Sequence, residues 1–331
     1  MKVLFIGGTG NISSAVSRLL VSKGVELYHI NRGNREKIEG VISFSADINN
    51  TNEVLKHING LQFDCVVNWI AYTPEDIERN FQLFNDKTQQ YIFISSATVY
   101  QKPPQHYIIT EECPLDNPYW DYAQDKIACE NLLMKLFREQ KFPVTIVRPS
   151  HTYETVIPVA IGGWTEYTII DRIKKGLPII VHGDGTSLWT ITHSQDFAIG
   201  FAGLVGNKNA IGEAFHITSD EVMSWIQVYK TVAHACGYEP YLVSFTSQII
   251  SDYADANGFA PTRGNLFGDK SHSAIFDNSK IKKFVPHFKA TIPFAKGIQD
   301  TIRWFEQDKK RMQINDSTHA FMDGLAKLSI K

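Results

Sequence analysis

Tyr122 and Lys126 stand four residues apart in a long stretch of helical periodicity, so both side chains project from one helix face. A lysine ammonium beside a phenol favours the phenolate and lowers the cost of taking a proton near neutral pH. Upstream, Ser95-Ser96-Ala97-Thr98-Val99-Tyr100 closes an apolar strand, and the Ser96 hydroxyl is placed to hold a substrate oxygen from the other side. A carbonyl or alcohol held between Ser96 and Tyr122 would present its carbon for hydride transfer. The Y-x-x-x-K spacing alone marks a surface ridge more often than a site. It needs a cofactor beside it.

The first ten residues supply one. Val3 to Ile6 are uniformly apolar, as in a parallel strand covered on both faces, and run into the turn Gly7-Gly8-Thr9-Gly10. From Ile12 to Leu20 the apolar residues take helical spacing. A strand, a glycine turn and a helix N-terminus at Asn11 and Ile12 form a site where free N–H groups meet a pyrophosphate. The spacing Gly7-x-x-Gly10-x-x-Ser13 places a small residue, Ser13, where helix and strand must approach. The bland alternative is an ordinary strand-to-helix corner. The next strand ends Ile30-Asn31-Arg32-Gly33-Asn34-Arg35, with no carboxylate to hold a ribose diol and two guanidinium groups nearby. Arg32 is suited to pair with a 2′-phosphate, so NADP is expected over NAD; Arg32 and Arg35 as solvated loop residues are the alternative. Asp47, with Ile48 beside it, is placed to accept from an adenine amino group or to cap a turn.

These groups need a scaffold, and the first half provides its rhythm. Strands are expected at Glu26 to Ile30, Val41 to Phe44, Asp64 to Asn68, Gln90 to Ile94 and Val144 to Val147. Helices are expected at Thr51 to Ile58, Pro74 to Phe84 and Asp121 to Glu139. This alternation predicts an α/β fold, a Rossmann-type doubly wound and mostly parallel sheet, with residues 1–150 as the dinucleotide-binding domain. After Arg148-Pro149 the rhythm breaks. Residues 151–310 are expected to form a smaller mixed α/β substrate-binding lobe, some segments of which return to the first domain, and 311–331 a C-terminal tail. Helices are expected at Asp196 to Val205, Ser224 to Cys236 and Pro293 to Gln307, with a terminal one at Phe321 to Ile330. Ile249 to Ser273, rich in Gly, Asn, Asp and aromatics, reads as a partly ordered loop over a pocket.

The 33 Lys and Arg balance 35 Asp and Glu, a net charge of −2 that argues against nucleic acid as a partner. No run of 18 apolar residues predicts a membrane span. Cys65, Cys113, Cys129 and Cys236 lie far apart, as buried free thiols of a reducing cytoplasm would. The histidines have no metal-ligand spacing, so no metal is expected. His151 and His193 are candidates to line the pocket.

The chain resembles the extended short-chain dehydrogenase/reductase family, in its NAD-dependent epimerase/dehydratase branch. The resemblance rests on Gly7-Gly8-Thr9-Gly10, Asn68-x-x-Ala71, Ser95 to Tyr100, Tyr122-x-x-x-Lys126, Arg148-Pro149 and Asp196, and runs from Lys2 to about Phe305. It implies Tyr122 as acid/base and Lys126 as the residue that binds the nicotinamide ribose and tunes the tyrosine. Ser96 with Thr98 would position the reacting oxygen. It also puts Asn68, Ala71 and Tyr72 along the cofactor, and Pro149 and His151 beside nicotinamide and substrate. A homodimer is implied, with the helices Pro74 to Phe84 and Asp121 to Glu139 as candidate interface.

Two departures from the family pattern bear on the substrate. Val99-Tyr100 follows the threonine where 4,6-dehydratases carry an Asp-Glu pair, which argues against elimination. Trp189 stands where nucleotide-sugar epimerases place a diphosphate-clamping arginine. Either Arg263, Lys270 or Lys280 supplies the missing cation, or the substrate is not a nucleoside-diphosphate sugar and a sugar ring stacks on the indole. The expected function is an NAD(P)-dependent epimerase acting on a sugar or nucleotide sugar through a transient keto intermediate. The alternatives are an oxidoreductase on a small or glycosidic alcohol, with the same residues, and a non-catalytic RNA-binding or scaffold relative.

Overall fold

A computed structural model describes residues 1–329. In chain order the first half runs β1 (Lys2–Ile6), α1 (Asn11–Ser22), β2 (Glu26–Asn31), β3 (Ile42–Ser45), α2 (Thr51–Ile58), β4 (Cys65–Asn68), α3 (Pro74–Phe84), β5 (Tyr91–Ile94), a two-residue β6 (Ile108–Ile109), α4 (Asp121–Gln140) and β7 (Val144–Pro149). The second half runs β8 (His151–Tyr153), α5 (Thr168–Lys174), β9 (Ile179–His182), β10 (Leu188–His193), α6 (Ser194–Ala202), β11 (Ala214–Ile217), β12 (Val222–Ser224), α7 (Trp225–Ala235), β13 (Leu242–Phe245), α8 (Ser247–Ala256), a one-turn α9 (Arg263–Asn265), a π-helical turn over Leu266–Lys270, β14 (Ile275–Phe276), α10 (Ser279–Phe284), α11 (Phe294–Glu306) and α12 (Asp316–Leu328).

Seven parallel strands form the central sheet in the order β11-β7-β5-β4-β1-β2-β3. β1 and β4 are neighbours although the chain first runs outward from β1 through β2 and β3. The strand order therefore reverses between them, and a crevice opens at their carboxyl ends, where such sheets bind ligands. Both faces are covered. Ala15, Val16 and Leu20 of α1 pack with Phe197, Ala198 and Phe201 of α6 on one side. Val54, Ile77, Cys129 and Leu133, from α2 to α4, cover the other. That double cover is why Val3 to Ile6, Cys65 to Val67 and Tyr91 to Ile94 are uninterrupted apolar runs.

The chain does not change domain cleanly at residue 151. β11 pairs with β7 in the central sheet and α6 packs on α1, so two pieces of the second half belong to the first layer system. The remainder surrounds a separate core that includes Ile169, Ile180, Trp225, Val228 and Ile298. The segment expected as a tail carries α12, docked into this core through Phe321, Met322 and Leu325. Ile330, where the expected terminal helix ended, lies outside the described residues.

The expected loop at Ile249 to Ser273 is largely helical. α8 is capped by Thr246, whose hydroxyl accepts from the Ile249 amide at 3.2 Å, and it buries Ile250 and Ala254. Tertiary packing overrides a composition that suggests a loop. No helix among the described residues is long and apolar enough to cross a membrane.

Candidate active site

The crevice at the β1/β4 boundary is a cleft of about 920 Å³. Its floor begins at the glycine turn. Gly7 holds φ at +85°, and an added Cβ would lie 2.5 Å from Ile70 Cγ2, so both conformation and space require glycine. The Gly10 amide is taken by the Ser13 hydroxyl at 2.8 Å, but no side chain caps α1 and no carboxylate stands in its first turn. The positive end of the helix, at Asn11 and Ile12 on the cleft wall, is left for an anion. The Asn11 side chain is fixed elsewhere: its Nδ2 donates to the Thr152 carbonyl at 2.9 Å and its Oδ1 accepts from the Thr155 amide at 3.0 Å.

Asn31, Arg32, Arg35, Asp47 and Ile48 line the same end of the cleft. Arg35 reaches back over the turn and donates to the Thr9 carbonyl at 2.8 Å. Asn68 and Ala71 act from behind the wall. The Asn68 Oδ1 accepts from the Ile70 and Ala71 amides at 2.9 and 2.8 Å, shaping the loop that brings Tyr72 to the cleft. A pyrophosphate at α1, a ribose near Arg32 and an adenine near Asp47 suit this arrangement, so the residues present fit a dinucleotide.

Tyr122, Lys126, Ser96, Thr98, Pro149 and His151 stand along the rest of the cleft. Ser96 follows β5 and caps the short 3₁₀ turn Ala97–Val99; its hydroxyl accepts from the Thr98 amide at 3.2 Å and from the Thr98 hydroxyl at 3.0 Å. Thr98 therefore holds Ser96 in place. Lys126 is 2% exposed, and its Nζ donates to the carbonyls of Ala71 at 2.6 Å and Ile94 at 2.8 Å. It lies 4.6 Å from the Tyr72 ring centroid and 5.8 Å from that of Tyr122.

The electrostatics depart from the simple expectation that Lys126 makes Tyr122 a phenolate. Burial pushes the Tyr122 phenol up to about 12, with the Ser96 hydroxyl pulling partly the other way. Burial also pulls Lys126 down to about 8. Its ammonium is spent on two carbonyls, so desolvation outweighs the lysine's field at the phenol. The phenol is the resting form.

Glu130 continues the ladder of Tyr122 and Lys126 on α4 and was not singled out from the sequence. Arg148 at the end of β7 meets it bidentately, Nε to Oε1 at 3.0 Å and Nη2 to Oε2 at 2.6 Å. Its Nη1 donates to the Tyr100 hydroxyl and to the Glu111 carbonyl, both at 3.2 Å. This buried knot ties the helix carrying Tyr122 to the strand that delivers Pro149 and His151. The second four-residue step on one helix face, from Lys126 to Glu130, was the available signal.

The proposed cations separate. Lys270 lines the cleft, whereas Arg263 does not: it pairs on the outside with Asp252 at 2.9 Å and lies over Phe267. Lys280 pairs with Glu213 at 2.8 Å. Trp189 lines the cleft but is 2% exposed, with Nε1 donating to the His272 carbonyl at 3.0 Å and the Lys270 ammonium 4.5 Å from its ring centroid. The indole is buried in the seam and seats Lys270 over its ring, which leaves little of it for a sugar to stack on. His193 caps α6, its Nδ1 accepting from the Gln195 amide, and is not on the wall. Trp120, Trp164, Asn265 and Asp269 are wall residues that the sequence alone did not single out. Among the described residues no group of three or more His, Cys, Asp or Glu side chains is placed to hold a metal.

The sequence model of the NAD dependent epimerase/dehydratase family matches residues 3–218. The chloroplast stem-loop binding protein of 41 kDa b from Arabidopsis thaliana is 26% identical over 318 residues, covering 91% of this chain and 78% of that protein. Among solved structures, an epimerase from Methanothermobacter thermautotrophicus superposes with a TM-score of 0.76 at 16% identity, covering 94% of each chain. The UDP-glucose 4-epimerase from Bifidobacterium longum, in complex with NAD+ and UDP, gives 0.74 at 17% identity, covering 94% of this chain and 100% of that one. At these identities the likeness is one of fold.

Proposed function

The chain belongs to the NAD dependent epimerase/dehydratase family, and from that premise we propose that it is an NAD(P)-dependent epimerase, inverting a secondary alcohol of a sugar-like substrate through a transient keto intermediate. One observation carries this reading: the uncapped glycine turn and the Ser96, Tyr122 and Lys126 side chains open into a single continuous cleft.

A nicotinamide held along this cleft would supply the hydride acceptor for oxidation of the substrate carbon and the hydride donor for its reduction. The chain's own residues handle the oxygen and its proton. Ser96, fixed by Thr98, donates to or accepts from the substrate oxygen. Tyr122, as the phenolate left once its own proton has passed to solvent, takes the hydroxyl proton as the carbon is oxidised and gives it back as the carbonyl is reduced. Lys126 holds the Tyr72 loop through the Ala71 carbonyl and places its ammonium 5.8 Å from the Tyr122 ring centroid. Rotation of the keto intermediate between the two hydride transfers inverts the centre. Val99-Tyr100 places no acid pair after Thr98, which speaks against elimination. A non-catalytic RNA-binding role fits less well with a net charge of −2 and a complete Ser, Tyr and Lys set.

NADP is the proposed cofactor, because β2 ends without a carboxylate and Arg32 and Arg35 flank the cleft there. Arg32→Ala should weaken NADP by on the order of tenfold or more while leaving NAD nearly unchanged, since only NADP has a 2′-phosphate to lose its partner. Equal NADP dissociation constants before and after the change would return Arg32 to the solvated loop. A cytoplasmic homodimer, paired through α3 and α4, is part of the same proposal.

A label distinguishes epimerisation from net redox. A sugar deuterated at the reacting carbon should keep its label through inversion, with no build-up of reduced dinucleotide. Stoichiometric accumulation of reduced dinucleotide would replace the epimerase with a net oxidoreductase.

A further inference from the structure

The wall opposite the glycine turn has a charge arrangement that speaks to the second ligand. Lys270 and Asp269 both line it, both are nearly fully buried, and the Lys270 ammonium is paired with the Asp269 carboxylate. Lys270 is the one cation on that wall among the described residues; Lys126 belongs to the Tyr122 set, and Arg32 and Arg35 stand at the far end. Lys102 is buried near enough for the charges of Asp269 and Lys270 to bear on it, but it is not part of the wall.

This pair is built in. It ends a π-helical turn, a rare geometry found most often at functional sites. The Lys270 carbonyl accepts from His182 Nε2 at 2.9 Å, Ser187 Oγ at 3.1 Å and Trp225 Nε1 at 3.2 Å. Its ammonium rests over Trp189. Beside the pair stands His151, 3% exposed, with neither ring nitrogen in a well-formed hydrogen bond. Burial pulls His151 far below the ordinary histidine range, so its ring is neutral, with one donor and one acceptor to offer. Trp164 packs edge-to-face on it, with ring centroids 4.4 Å apart, and is itself part of the wall. Asn265 spends its Nδ2 on the Ala160 carbonyl, leaving its oxygen to accept.

We propose that this end takes an uncharged, hydroxyl-rich ring, a free sugar or a simple glycoside without phosphate, whose hydroxyls bond to Lys270, Asp269 and His151 and whose C–H face lies on Trp164. The inference rests on the redox reading of the cleft and names its substrate class. A hydroxyl both donates and accepts, which matches a wall carrying one cationic donor, one anionic acceptor and an imidazole able to do either. A diphosphate brings at least two negative charges to a wall whose cation is already neutralised, and buried charge without a partner is strongly disfavoured.

The test uses protein saturated with NADP and reads binding by calorimetry. Wild type should bind UDP and inorganic pyrophosphate no better than millimolar, while at least one of a panel of uncharged hexoses and methyl glycosides binds measurably. Asp269→Asn releases Lys270 from its counter-charge, so UDP and pyrophosphate should then bind on the order of tenfold or more tighter. Micromolar UDP affinity in wild type, a D269N variant that gains nothing, or a panel in which no uncharged member binds would each overturn the proposal. NADP affinity of both proteins is measured alongside. Its retention shows that D269N is folded, and its absence in wild type would sink the redox reading instead.

Discussion

Tyr122→Phe should cut turnover by ~10²–10⁴, the usual size of a general acid/base contribution, while NADP affinity and melting temperature stay close to wild type. Tyr122 lines the cleft and its ring packs against Tyr72 and Trp120, contacts that phenylalanine keeps. What is lost is the phenolic group proposed to take and return the substrate's proton. Steady-state kinetics with a dinucleotide titration separates the two effects. Retention of most activity would remove Tyr122 from the chemistry.

Arg148→Met should destabilise the fold by about 3–5 kcal/mol, because it leaves the Glu130 carboxylate buried without its partner. Arg148 and Glu130 are both almost fully buried, and each carries two bonds of the bidentate pair. The double change Arg148→Met with Glu130→Leu should recover most of that loss, since a buried ion pair replaced by apolar side chains is often neutral. Denaturant unfolding of the two single variants and the double one gives the coupling directly. A single variant within about 1 kcal/mol of wild type would show that Glu130 finds water or another donor.

The dinucleotide half was legible because its signals are local. Apolar runs, a glycine turn and the four-residue step from Tyr122 to Lys126 need no knowledge of distant partners, and the structure gathers these residues along one cleft. The second half is held by contacts between segments far apart in the chain. Arg263 looked equivalent to Lys270 because both are cations near the same motif. Asp252 holds the first outside, while His182, Ser187 and Trp225 fix the second on the wall. Trp189 stands out in the sequence as a departure from the family pattern, and it lines the cleft. That its face carries a lysine is a matter of packing that no spacing reveals. The shift of Tyr122 to about 12 likewise comes from burial, which sequence spacing does not report.

The central claim is that the cleft holds a nicotinamide dinucleotide with its pyrophosphate at the start of α1 and its reactive ring near Tyr122. Titration of NADPH into the purified protein tests it, followed by energy transfer from Trp69, Trp120, Trp164 and Trp189, which all line the cleft. Saturable binding at one dinucleotide per chain is expected. Thr9→Asp should weaken it on the order of tenfold or more without lowering the melting temperature, since a carboxylate at the positive end of α1 suits the helix and repels the pyrophosphate. No saturable binding of NADPH or NADH, or an affinity that Thr9→Asp leaves unchanged, would contradict the account.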